Sequence, residues 1–170
     1  MKVLVAYRSK YGGTEACARA LAQGIRGDTV LADLRHRPIP KPDAFDVVLV
    51  GGSIYGGRIQ REVTWFCEAH EEQLLSRPTG LFLCCFYQGD RAQAQMTDAF
   101  PAWLLAHAFA RAPLGGVLRP GALSLLDRML VCSLGAPAGD VDRTRKEEID
   151  ALARAVNQLP AAAAGGSAPR

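Results

Sequence analysis

Nowhere in its 170 residues does the chain carry an apolar run of the roughly 18 residues that a membrane span requires. Its first turns hold a polar loop where a secretion signal would need an apolar core. Both absences point to a soluble, cytoplasmic protein. Five cysteines occur, Cys17, Cys67, Cys84, Cys85 and Cys132, with no CxxC spacing, and the odd number suits buried thiols better than a disulfide framework. The three histidines, His36, His70 and His107, are scattered, so no metal site is expected. Charge of one sign is also lacking. Twenty Lys and Arg against 17 Asp and Glu give a net +3, and the basic residues are dispersed, so nucleic acid is not expected as a partner.

What is present is an alternation of short apolar runs with amphipathic stretches. KVLVAY reads as a strand, Thr14 to Ile25 as a helix, TVLADL as a second strand and DVVLVGGS as a third. From Arg61 to Leu75, Val63, Phe66, Cys67, His70 and Leu74 fall on one helical face. GLFLCCFY supplies a fourth strand, and residues 91–112 read as helical with a break near Pro101. A fifth strand is expected at Gly116 to Leu123 and a last helix from Asp140 to Leu159. Residues 160–170 lack a periodic apolar face and are expected to form a flexible tail behind one domain, residues 1–159. Strands alternating with helices make an α/β domain of three layers, a five-stranded parallel sheet with helices on both faces. Ligands in such sheets gather at the carboxyl ends of the strands, which directs attention to the loops after strands one, three and four.

The first of these loops is RSKYGGT. It has neither the GxxxxGK[ST] nor the GxGxxG spacing of the common nucleotide loops. Ser9 and Thr14 offer hydroxyls, and Gly12 and Gly13 let backbone amides come close at a helix N-terminus, an arrangement that suits a phosphate monoester. The plainer reading is a tight turn and a helix cap, with Arg8 and Lys10 as solvated charges. The other two loops, GGSIYGGR and FYQGD, each bring a tyrosine, and Tyr55 and Tyr87 could flank a planar aromatic ligand. A phosphate cradle with two aromatic walls describes a site for flavin mononucleotide, FMN.

SKYGGT and the order of the three loops resemble the flavodoxin-like proteins. SIYGGR, GLFLCCFY, PGALSLLDRM and GDVDRTRKEEID are similar to the menaquinone-dependent protoporphyrinogen oxidase branch of that superfamily, over residues 1–159. The resemblance implies the strand order 2-1-3-4-5. It would make Ser9, Lys10, Tyr11, Gly12, Gly13 and Thr14 the phosphate loop, set Ser53, Ile54, Tyr55, Gly56 and Gly57 against one side of the flavin ring, and set Phe86, Tyr87, Gln88, Gly89 and Asp90 on the other. No catalytic side chain is implied. The activity implied is dehydrogenation of a porphyrinogen with electrons passed to a quinone, with possible peripheral contact at the inner face of the membrane. LSLLDRMLVCSLGAP departs from that branch in carrying Arg128 as its one basic residue. The alternative is a flavodoxin-type carrier between redox proteins, a role usually served by a strongly acidic surface, which this composition lacks. DRTRK reads equally well as solvated surface.

Overall fold

The computed structural model describes residues 1–133 and 139–160. Five strands, β1 (Lys2–Tyr7), β2 (Asp28–Asp33), β3 (Val47–Tyr55), β5 (Thr79–Cys84) and β6 (Ala110–Gly115), form a parallel sheet in the order β2-β1-β3-β5-β6. A two-residue strand, β4 (Arg58–Ile59), folds back antiparallel on β3, pairing Tyr55 with Arg58 and Ile54 with Ile59. Leaving β4 aside, the parallel strands in chain order run 2-1-3-4-5, with the order reversing at β1 and β3 as in a flavodoxin-like fold.

Alternation along each strand divides the interior into two cores, because successive side chains leave opposite faces of a sheet. Val3, Val5, Tyr7, Val47, Leu49, Phe82 and Cys84 pack against α1 (Gly13–Gly24) and α7 (Lys146–Asn157). Leu4, Ala6, Val48, Val50, Leu81, Leu83 and Cys85 belong to the other core. That core is covered by α2 (Arg61–Ala69), α3 (Glu71–Leu75), α4 (Gly89–Ala99) and α5 (Ala102–His107). Val3, Leu4 and Val5 have no exposed surface, as do Val48, Leu49 and Val50, which is why both strands read as continuous apolar runs.

Four expectations are corrected. The helix expected over Arg61 to Leu75 is two helices meeting at His70, whose φ of −125° leaves the helical region, although Val63, Phe66, Cys67 and Leu74 still point into one core. The fifth strand is Ala110–Gly115, not Gly116 to Leu123, so the helix expected over 91–112 ends at His107. Pro113 is tolerated there because β6 is the edge strand and its outward positions need no amide donor. Val117–Leu118 (β7) instead pairs antiparallel with Val141–Asp142 (β8) in a separate ribbon. The last helix consequently starts at Lys146 and not Asp140, since the backbone amides of Arg143 and Arg145 are bonded to the carbonyls of Gly116 and Leu114. From residue 161 the expected tail lies outside the described residues.

A further helix, α6 (Leu125–Ser133), follows β7 and carries the three most exposed large apolar side chains among the described residues, Leu125, Leu126 and Met129 at 81%, 79% and 70%. No helix among the described residues is long and apolar enough to cross a membrane.

Candidate functional site

β1 ends at Tyr7, and the chain reaches the first turn of α1 through Gly12, which holds φ +84° in the left-handed region. Among the described residues no side chain caps α1, so the amides of its first turn stand without a side-chain acceptor at the positive end of a 12-residue helix. In the loop that leads to them Ser9 is 4% exposed, and its Oγ is buried without a hydrogen-bond partner among the described residues. A buried hydroxyl left unpaired costs on the order of 1–3 kcal/mol, so such a group is retained where something else satisfies it. A Cβ built on Gly12 would meet nothing within 4 Å, so the loop has room in front of it. Hydroxyl, uncapped amides and space together suit an anion with several acceptor oxygens, and the phosphate of FMN is one.

Lys10 and Tyr11 are occupied differently from the expectation that they face a phosphate. Lys10 Nζ donates to Asp127 Oδ2 at 2.5 Å, Tyr11 Oη donates to the same oxygen, and the backbone amide of Ser124 donates to Tyr11 Oη at 3.1 Å. This clasp seats α6 on the first loop. The hydrogen bond from Lys10 holds the Asp127 carboxyl below its ordinary range, with Tyr11 adding to the effect, and Asp127 in turn raises Lys10. A carboxyl depressed in the folded state stabilises above its unfolded pKa, and that contribution disappears as pH falls through the folded value. The protection factors of the α6 amides, taken relative to the intrinsic exchange rate at each pH, are therefore expected to fall at pH below the usual carboxylate range. Asp127→Asn should accelerate their exchange about fivefold to tenfold at neutral pH, the scale of a half-exposed charged hydrogen bond. Unchanged α6 protection in the variant would contradict the clasp.

The second loop is a hairpin instead of an open loop: β3 continues through Ser53, Ile54 and Tyr55 and reverses at Gly56 and Gly57. Gln60 fixes its base, accepting from the Ser53 amide at 2.9 Å and donating to Ser53 Oγ at 2.6 Å. The Tyr55 ring meets Tyr11 at 5.9 Å between centroids, so the first two loops touch, and Lys10 Nζ lies 5.3 Å from both ring centroids. Burial pushes the Tyr55 hydroxyl up to about 12, so it is a neutral donor at any physiological pH.

Register sets Ser53 beside Cys84, which brings the third loop, Cys85 to Gln88, next to the hairpin. Arg145 donates to the carbonyl of Tyr87 at 2.7 Å and Arg143 to that of Phe86 at 3.5 Å. Tyr87 is 45% exposed, with the Arg91 guanidinium 5.8 Å from its ring centroid. Gln88 precedes α4, and Gly89 and Asp90 form its first turn. The loops holding Ser9–Thr14, Ser53–Gly57 and Phe86–Asp90 thus share the carboxyl edge of the sheet.

Cys84 and Cys85 do not form a working pair. Strand alternation sends Cys84 into one core and Cys85 into the other. Cys84 contacts Cys17, which keeps the Cys84 thiol protonated well above its ordinary range while Cys17 is lowered, and burial raises Cys85. Residues that sequence reasoning missed are Ser124, Asp127, Gln60, Arg143 and Arg145. Asp127 lies within PGALSLLDRM and the two arginines within DRTRK, but nothing local marks a partner so far away in the chain.

Residues 4–144 match the flavodoxin domain family. Among curated protein sequences none matches. Among solved structures the chain is similar to a Streptococcus pneumoniae flavodoxin, at 14% identity and TM-score 0.55, covering 92% of this chain and 97% of that one. It is similar also to a short-chain flavodoxin associated with a non-canonical PDU bacterial microcompartment, at 13% identity and TM-score 0.56, covering 92% and 96%. Against the rubredoxin oxygen:oxidoreductase of Desulfovibrio gigas, at 16% identity and TM-score 0.50, 93% of this chain is covered but only 37% of that protein. These likenesses concern the fold. With the family match spanning most of its length, the chain belongs to the flavodoxin domain family, whose cofactor is FMN.

Proposed function

We propose that residues 1–159 form a single FMN-binding domain and that the chain is an FMN-dependent oxidoreductase. The observation that carries this reading is the buried, unpartnered Ser9 hydroxyl beside the uncapped start of α1. Ser9, Thr14 and the amides from Gly12 onward would hold the phosphate. Ser53, Ile54, Tyr55, Gly56 and Gly57 would border one side of the ring and Phe86, Tyr87, Gln88, Gly89 and Asp90 the other. Lys10 and Tyr11 would act mainly by fixing α6 and Tyr55 in place. When bound, FMN supplies the electron transfer itself, in one- or two-electron steps. The chain's own residues bind, orient and shield, and none is placed as a catalytic acid or base. The purified protein should be yellow, or turn so on addition of FMN with quenching of flavin emission. A colourless protein that ignores FMN would favour a domain that kept the fold without the cofactor.

We infer further that the reaction is of the protoporphyrinogen oxidase type, with a porphyrinogen dehydrogenated and the electrons passed to a quinone. Supporting this is the position of the two segments that carry the branch resemblance. PGALSLLDRM is clasped to the first loop through Asp127 and Ser124, and the arginines of GDVDRTRKEEID hold the third loop. The exposed Leu125, Leu126 and Met129 offer an apolar surface beside the first loop, which suits a lipophilic quinone and peripheral contact of a cytoplasmic protein with the membrane. With FMN, a porphyrinogen and a naphthoquinone, anaerobic formation of fluorescent porphyrin is expected. No rate above the FMN-free control, combined with rapid reduction by a protein donor, would favour the electron-carrier alternative.

A further inference from the structure

Helix α2 turns Val63, Phe66 and Cys67 into the core, which leaves Trp65 on its outer side with 45% of its surface exposed. Arg37, from the segment after β2, places its guanidinium 4.8 Å from the centroid of that indole. Between these side chains and His70 lies a cleft of about 510 Å³, lined by Arg37, Pro38, Ile39, Lys41, Trp65 and His70. The volume falls within the roughly 300–1,000 Å³ of small-molecule sites, and the cleft shares no lining residue with the three loops at the sheet edge.

Its chemistry is two-part. The floor is apolar and aromatic: Ile39 packs on the core beneath, and the His70 ring lies 4.8 Å from Phe66 and 6.4 Å from Trp65 between centroids. The rim is cationic. Arg37 and Lys41 are both exposed, and neither has a carboxylate partner among the described residues, whereas neighbouring Arg35 is paired with Asp33. Among the described residues no acidic side chain lines the cleft, the nearest acidic influence on His70 being Asp43. Burial lowers His70 and so favours its uncharged ring, with Asp43 acting in the opposite direction and Lys41 in the same one.

We propose that this cleft binds a small organic anion with a planar aromatic body, its ring against Trp65 and His70 and its acid group answered by Arg37 and Lys41. Aromatic faces and unpaired cations select for such a ligand jointly, since the first supplies buried area and the second orientation and sign. The proposal is independent of flavin binding, because the cleft is built from other residues.

A matched pair of fluorescent probes tests it: 8-anilinonaphthalene-1-sulfonate and uncharged N-phenyl-1-naphthylamine, which keeps the aromatic body without the sulfonate. Both are titrated against the full chain with and without one equivalent of FMN, which fills the sheet-edge site and leaves no free flavin to compete as an aromatic anion, following probe emission and tryptophan quenching. The sulfonate is expected to bind about tenfold tighter than the neutral probe. That preference should vanish in the Arg37→Gln, Lys41→Gln double variant and persist in the Arg26→Gln, Arg154→Gln double variant, a like loss of charge elsewhere. Trp65→Phe should remove the quenching while Trp103 emission remains, and FMN should change neither affinity. Equal affinity for the two probes, an unaltered preference in the double variant, or displacement of the sulfonate by FMN would each overturn the proposal.

Discussion

Replacing Gly12 by Glu is expected to weaken FMN binding about a hundredfold or more while the protein remains folded. A Cβ at this position meets nothing within 4 Å, so the substitution creates no clash. The left-handed φ of +84° adds on the order of 1–2 kcal/mol of backbone strain for any side chain. The larger effect is electrostatic. A carboxylate at the start of α1 takes up the helix-end potential and repels a phosphate in the same place, and a hundredfold loss corresponds to about 2.7 kcal/mol. Gly12→Ala separates the two causes, since it carries the strain without the charge and should change the Kd for FMN only severalfold. Flavin-emission titration gives both constants. Equal Kd values for the Glu and Ala variants would show that no anion is held at this helix end.

Gly115→Ala should be strongly destabilising, costing about 3 kcal/mol or more and lowering Tm by roughly 10 °C. Gly115 ends β6 with φ +76°, opposite Cys84 where the ladder shifts register. A Cβ there would lie 1.9 Å from the carbonyl oxygen of Arg143, far inside contact distance, and the obstacle is backbone that cannot rotate away. That backbone is held by Arg143 and Arg145 amide bonds to Gly116 and Leu114. Displacing it would also loosen the arginine contacts to the third loop, so FMN affinity should fall together with Tm. Thermal melts with and without FMN measure both, and a Tm within about 2 °C of the parent would refute the packing described.

Much of the fold was legible because a parallel sheet covered on both faces needs apolar runs, and Val3 to Ala6 and Val47 to Val50 can do little else in water. β6 is hard to read from the sequence for a physical reason. An edge strand containing Pro113 and the half-exposed Ala110 shows neither a continuous apolar run nor strict alternation, and edge pairing tolerates both. The hairpin from Tyr55 to Arg58 was hidden in a stretch that reads simply as glycine-rich loop. At the site, Ser9 and Gly12 can be proposed from local chemistry alone, a hydroxyl and a glycine just before a helix. Asp127 cannot, because its partner Tyr11 lies 116 residues earlier and a charge on an amphipathic segment looks the same whether solvated or clasped. Arg145 is the same case, reading as surface charge in DRTRK until the ribbon of β7 and β8 turns it onto the Tyr87 carbonyl.

The phosphate grip is tested most directly by comparing FMN with riboflavin, which keeps the whole ring system and lacks only the terminal phosphate. Isothermal titration of the flavin-free protein should show FMN binding at least about a hundredfold tighter than riboflavin, with most of that difference lost in Gly12→Glu. Equal affinity for the two flavins, or saturating FMN that alters neither heat signal nor melting temperature, would contradict the assignment of Ser9 and the start of α1 as the phosphate cradle.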